Sequence, residues 1–299
     1  MYVTNLDKKI DEPQEPRTIP TICAWSDLLG FSSPYTASNW EPDKEQYLKI
    51  AKRLRDVQIL CMRTLHPWHE KCLTSNDAFI RNVNFENVRH IQEISMWFRS
   101  LIWFHMSVNS YEKDCGNPGI RTVISGGERL LHNFEDARFE DYVFNYTKKD
   151  PEGESSFPDS VKNEIVFFNP VSFQMNTAFS KSYILDEMGS KHGISGNAIY
   201  IEESVFRVIE NNLSGWLPDT ARFVKEEKED TILVYVEHVE NGWYHIGFEV
   251  SKPIVINTDK IKTNVYKLLL FYPWDEDPKE FSIDVNDDMS YNIDQHLQW

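Results

Sequence analysis

"TICAWSDLLGF", residues 21–31, places one aspartate at the end of an apolar run, with a glycine three residues further on. "TICAW" reads as a short buried strand. Strands buried on both faces rarely carry Asp, because an unpaired buried carboxylate is costly. Asp27 therefore either caps the element that follows or holds a cation. Gly30 then lets the backbone turn sharply beside it.

Working outward, residues 1–19 form a polar, proline-bearing N-terminal arm with no basic-then-apolar leader. Residues 43–65 predict a helix, with Tyr47, Leu48, Ala51, Leu54, Val57, Ile59 and Leu65 roughly on one stripe. "KCLTSNDAFIRNV" has two short apolar segments about Ser75-Asn76-Asp77, which predicts a hairpin. A second helix is expected over about 86–110, broken by "CGNPG" and followed by "IRTVISGG" as a strand. Residues 147–160 read as a loop and "NEIVFFNP" as a strand. Asn169-Pro170 would cap a helix over about 171–188, before "NAIYIEE" returns as a strand. Beyond about 215, "DTILVYVEHV", "GWYHIGFEV" and "KPIVINT" have strand composition, with Asn241-Gly242 as a hairpin turn. The order is that of an α+β fold, divided as an arm (1–19), a core domain (20–212) and a β-rich C-terminal extension packed on it (213–299).

The chain has 299 residues, 41% of them hydrophobic and 13% aromatic, enough for a sizeable core. Its formal net charge is −16, which disfavours nucleic acid and anionic membranes as partners. No apolar run approaches the ~20 residues of a membrane span. Cys23, Cys61, Cys72 and Cys115 are sparse and irregularly spaced, which suits reduced thiols and a cytoplasmic location. His66, His69 and Cys72 could be read as zinc ligands, but Pro67 interrupts their helix and no fourth ligand is near in sequence. Helix capping is the simpler reading. The acidic run "KEEKED", 225–230, reads as a solvated strand edge or loop. The aromatics Trp243, Tyr244, Phe271, Tyr272 and Trp274 read as packing of the C-terminal strands.

A strand end and a neighbouring hairpin turn can bring Asp27 and Asp77 within reach of one metal pair. Magnesium takes one or two hard carboxylates and fills its remaining positions with water and substrate phosphates. The main-chain amides of Leu29, Gly30, Phe31 and Ser32 could hold a triphosphate next to it. Capping and turn formation remain open for both aspartates.

"AWSDLLGF", "TSNDAF", "PGIRTVISGG" and "FQMNTAFSKSYILDEMGS" followed by "NAIYI" resemble, in this order, the motifs of class III nucleotide cyclase domains. They are most similar to the bacterial branch that makes cyclic pyrimidine nucleotides for anti-phage defence, and the resemblance covers residues 18–210. It implies a ferredoxin-like sheet with helices on one face. It also implies two Mg²⁺ or Mn²⁺ ions per site, held by Asp27, Asp77 and the carbonyl of Leu28. The substrate would be a pyrimidine nucleoside triphosphate, UTP before CTP, closed to its 3′,5′-cyclic monophosphate. The chain would form a homodimer with shared sites, and its product would act on a downstream effector. Asn176 fits the family's late helix, but the arginine expected four residues on is Ser180 here. Lys181, Arg121 and Arg129 are the substitute cations. A cyclase-like nucleotide-binding sensor or scaffold without turnover is the alternative.

Overall fold

The computed structural model describes residues 17–65, 70–131, 143–145, 166–168, 171–217, 220–240, 242–273 and 282–286. The expectations for residues 1–16, His66, Pro67, His69, 147–160, Asn169-Pro170, Asn241 and Trp274 lie outside these.

The strand at "TICAW" is longer than the motif that announced it. β1 runs from Arg17 to Leu28, so it already includes the last three residues assigned to the arm. It is flanked on both sides by antiparallel partners, β3 (Ala78–Asn84) and β4 (Ile120–Leu131). β2 (Glu70–Ser75) pairs with β3 in the expected hairpin, but Ser75 belongs to the strand and the turn is Asn76-Asp77, where Asn76 adopts a positive φ of 55°. That backbone suits Asn, whose short polar side chain tolerates the left-handed region.

A short helix α1 (Ser33–Ala37) follows the Gly30 turn, and α2 (Lys44–Thr64) starts at a capping box. The Asp43 side chain accepts from the Gln46 amide, and the Gln46 side chain accepts from the Asp43 amide. The buried face of α2 is Ile50, Val57, Leu60 and Cys61. Tyr47 and Leu48, expected on the inner stripe, are exposed because the helix is rotated from the predicted face. α3 spans Ile91–Asp114, starting and ending later than expected after a short 3₁₀ turn at Phe85–Asn87.

β5 (Val143–Asn145) and β6 (Val166–Phe168) pair with each other, so among the described residues the "VFF" of the expected strand lies in a separate two-stranded sheet. A 3₁₀ turn at Val171–Phe173 precedes α4 (Thr177–Met188), which therefore begins later than about 171, and its cap is Asn176. β7 (Ile199–Glu202) lies parallel to β4, and α5 (Ser204–Trp216) follows it. The C-terminal strands are β8 (Ala221–Glu227), β9 (Thr231–His238), β10 (Tyr244–Ser251), β11 (Ile254–Asn257), β12 (Lys262–Tyr272) and β13 (Ile283–Asp284).

The α+β class is as expected. The main sheet has the order β2-β3-β1-β4-β7-β12-β10-β9-β8, with β11 and β13 both on β12. The divide expected at 212/213 falls inside α5, and β12 joins residues beyond it to β7 in this same sheet. β8, which carries the start of "KEEKED", is an edge strand, as a solvated charge run requires.

Side chains alternate along β1. Ile22, Ala24 and Leu28 face a large core with α2, α3 and α5, while Cys23 faces α4 together with Ile80, Phe173 and Ala178. The resemblance implied helices on one face; α2, α3 and α5 cover one face, and α4 covers the other. Gly126 and Gly127 make this double coverage possible. A Cβ on Gly126 would lie 2.5 Å from the Ser204 carbonyl oxygen at the start of α5, and one on Gly127 would lie 2.4 Å from Thr177 Oγ1 at the start of α4. Two adjacent glycines let two helix starts seat on opposite faces of one strand.

Phe98 of α3 packs edge-on against Phe248 of β10, with ring centroids 4.9 Å apart, so the C-terminal strands share the main core. Phe98→Ala is expected to cost about 3–5 kcal/mol and to lower the melting of the whole chain in one calorimetric transition. Two transitions, only one of them shifted, would contradict a shared core.

Candidate functional site

Asp27 sits near the end of β1, in register with Ala78 on one side and Arg121 on the other. Asp77 precedes Ala78, and its carbonyl accepts from the Leu28 amide at 3.2 Å. The hairpin turn is therefore tied to the strand end, and the two aspartates expected to act together are neighbours. Asp27 projects to the α4 face, as do Arg121 and, from α4 itself, Asp186.

Burial raises the Asp27 carboxyl, the neighbouring Asp186 and Asp77 carboxylates raise it further, and Arg121 and Arg53 only partly offset this. Its pKa is pushed up to about 7. Asp186 is raised as well, chiefly by burial. The chemistry of the donor set fits a hard divalent cation: two carboxylates on adjoining segments, and an Asp27 carboxyl whose charge Arg121 and Arg53 only partly offset. No group of three or more His, Cys, Asp or Glu among the described residues is arranged to hold a metal, so the fit rests on this pair.

The loop after Asp27 is more occupied than its sequence suggested. The Leu29 amide donates to Gly119, Phe31 to the Leu28 carbonyl and Ser33 to Gly30. The Phe31 side chain is buried in the core. Of the four residues expected to cradle phosphates, Leu29 and Phe31 have spent their amides, leaving those of Gly30 and Ser32 for a ligand. Gly30 has a φ of +66°, a region that side-chain-bearing residues avoid, and an added Cβ would press on Pro118 at 3.2 Å.

Arg53 was not foreseen. From α2, its Nη2 donates to the Leu29 carbonyl at 3.0 Å, and its guanidinium grips Glu112 of α3 at both carboxylate oxygens. Glu112 is fully buried. The pair fixes the loop beside the candidate cation position from below, and only the Arg and Glu residue types, 59 positions apart, hinted at it.

Three of the residues expected in catalysis, Arg121, Lys181 and Asn176, make contacts within the chain. Arg121 Nε donates to Asp186 at 2.7 Å, and its other nitrogens reach the carbonyls of Asp186 and Ile194. Lys181 Nζ lies 3.0 Å from the buried carboxylate of Glu202 and also bonds Ser204. Asn176 caps α4 by accepting from the Phe179 amide at 3.0 Å, and its NH₂ donates to Asn82 and Ser172. Arg129 is buried, and its Nε has no hydrogen-bond partner. Ser180 bonds back to the Asn176 carbonyl, as a helical serine commonly does. The structure thus brings Asp27 and Asp77 together with Arg121, which Asp186 pairs, while Asn176 caps α4 and Lys181 ties α4 to Glu202 of β7 and Ser204 of α5.

No protein-family model matches the chain, and no curated protein matches it. Among solved structures it is similar to the adenylyl cyclase CyaB from P. aeruginosa (10% identity, TM-score 0.40, covering 86% of this chain and 96% of that one). It is also similar to the guanylyl cyclase Cya2 (9% identity, TM-score 0.46, covering 87% and 95%). A third is the dimeric guanylyl cyclase domain of a RhoGC fusion protein from the aquatic fungus Blastocladiella emersonii (12% identity, TM-score 0.38, covering 85% and 97%). Likeness this remote carries no argument about what the chain acts on.

A carboxyl raised from its usual value to about 7 favours the protonated folded state, so Asp27 supports stability below about pH 4 and loses that support as pH rises through 7. Asp27→Asn is therefore expected to be more stable than the parent at pH 8 by roughly 1–3 kcal/mol, with the gap closing towards pH 5. Metal-free denaturant melts at both pH values measure it. A gap that is absent or reversed at pH 8 would contradict the electrostatic account.

Proposed function

We propose that the chain is a nucleotide cyclase that converts a nucleoside triphosphate to its 3′,5′-cyclic monophosphate and pyrophosphate. One observation carries the reading. Asp27 and Asp77 come from a strand end and the adjoining hairpin turn, in the motif order of class III cyclases, and meet as a carboxylate pair without a bound counter-charge. Mg²⁺ or Mn²⁺ held there would neutralise phosphate charge and polarise the α-phosphate.

The chain's own part is positional. Asp27, Asp77 and the Leu28 carbonyl supply the hard oxygen ligands, and the Gly30 and Ser32 amides face the phosphates. Arg53, gripped by Glu112, keeps the loop carbonyl at Leu29 in place. The ribose 3′-oxygen then bonds the α-phosphorus, the bond to the bridging oxygen breaks, pyrophosphate leaves, and the hydroxyl proton passes to water. Charge developing on the leaving pyrophosphate calls for a cation. Arg121 and Lys181 are held by Asp186 and Glu202 in every copy of the chain, so no side chain is assigned that role, and the motif resemblance alone supports a homodimer with shared sites. The motif resemblance alone supports a pyrimidine base, UTP before CTP, and a product that signals to an effector in anti-phage defence. Among the described residues no helix is long and apolar enough to cross a membrane, which accords with action in the cytoplasm.

A second reading has its own support. Ser180 stands where the family carries arginine, and Lys181 and Arg121 are held by Glu202 and Asp186. A nucleotide-binding sensor or scaffold without turnover would look like this.

Incubating the pure protein with Mn²⁺ or Mg²⁺ and each of the four ribonucleoside triphosphates separates the two. The cyclase reading expects a cyclic monophosphate and equimolar pyrophosphate from a pyrimidine nucleotide. Asp27→Asn and Asp77→Asn should each lower turnover on the order of 10²-fold or more while remaining folded. Tight nucleotide binding with no product from any of the four would overturn it in favour of the sensor.

A further inference from the structure

Nothing in their spacing pairs Cys61 with Cys72. Yet α2 and the edge strand β2 bring their Sγ atoms to 3.7 Å, a contact between free thiols. Cys61 is buried and Cys72 is partly exposed, so reagents reach the pair from the Cys72 side. Cys72 lies in register with Arg81 of β3, whose buried guanidinium is also gripped by Glu70. A hydrogen bond from the Cys61 thiol, aided by the Arg81 charge, lowers the Cys72 thiol below its usual range against the opposing effects of burial and Glu70. The same shared bond, together with burial, raises Cys61. The two thiols are unequal: one half-buried and inclined to thiolate, one buried and held as thiol. That asymmetry suits an attacking and a resolving cysteine.

We propose that Cys61 and Cys72 are a reversible redox pair, oxidised by a hydroperoxide to a disulfide that staples α2 to the β2–β3 hairpin. The Cys72 thiolate attacks a peroxide oxygen, the O–O bond breaks, and hydroxide leaves as water once protonated. Cys72 is then a sulfenic acid. Cys61 Sγ attacks the Cys72 sulfur, its proton joins the departing hydroxyl as a second water, and the S–S bond forms. The two thiols lose two electrons and two protons, and hydrogen peroxide becomes two waters. The sulfurs must close from contact to about 2 Å, a movement that falls on β2, at the edge of the sheet and bonded on one side only. The turn of this hairpin carries Asp77, so the staple lies in the same supersecondary unit as the candidate cation ligand. The proposal does not depend on the cyclase reading.

The test uses the full chain, reduced and then exposed to hydrogen peroxide, with free-thiol titration and peptide mapping by mass spectrometry. Two of the four thiols should be lost, a Cys61–Cys72 linked peptide should appear, and dithiothreitol should reverse both. Cys61→Ser should stop at a sulfenic acid on Cys72 that dimedone traps, and Cys72→Ser should form neither adduct nor link. If a variant fails to fold, mapping of the parent chain decides alone. The proposal is overturned if peroxide consumes exposed Cys115 while Cys61 and Cys72 stay reduced. It is also overturned if the isolated protein holds one zinc ion per chain that shields the pair, which would assign the sulfurs to a metal.

Discussion

A half-buried carboxylate near the end of β1, facing two other carboxylates, is the constraint that the surrounding structure accommodates. Burial first, and then the like charges of Asp186 and Asp77, push the Asp27 carboxyl up to about 7. The fold limits the strain by pairing the charges around it. Arg121 is bound by Asp186 on the same face, and Arg53 is bound by Glu112 beneath the loop. Breaking a buried pair by removing one partner leaves an uncompensated charge, which is far more destabilising than the pair is stabilising. The unpaired acid is therefore conspicuous. We assign an outside cation to Asp27 and Asp77, in a chain whose surplus of acidic groups already favours cations near its surface.

Much of the fold was legible because its signals are local. The apolar stripe over residues 43–65 marked α2, and Ser75-Asn76-Asp77 marked the hairpin that places Asp77 next to β1. The start of α4 was misplaced for a local reason as well. Asn-Pro at 169–170 is a standard helix opening, but the chain first makes a 3₁₀ turn, and Asn176, six residues after Pro170, caps the helix. The stripe on α2 was set a little out of phase because several apolar residues, Tyr47 and Leu48 among them, lie on its outer side.

What the sequence hid was non-local. Arg121 and Asp186 are 65 positions apart, and Lys181 and Glu202 are 21 apart, so no spacing rule could show that both cations are already engaged. Nor could strand composition show that β12 would add to β7 and carry the sheet on into residues 213–299. The closeness of Asp27 and Asp77 was therefore readable, and the pairing of Arg121 and Lys181 was not. The same holds for Cys61 and Cys72, whose contact exists only once α2 packs beside β2.

The central claim is that Asp27 and Asp77 form one divalent-cation site, and Mn²⁺ titration followed by electron paramagnetic resonance tests it most directly. With the protein at pH 8, where Asp27 is ionised, the account predicts saturable binding that is lost in both Asp27→Asn and Asp77→Asn. Binding by the parent chain should weaken as pH falls below 7, because protons then compete for Asp27. Mn²⁺ binding that is undiminished in either variant, or indifferent to pH between 8 and 6, would contradict it.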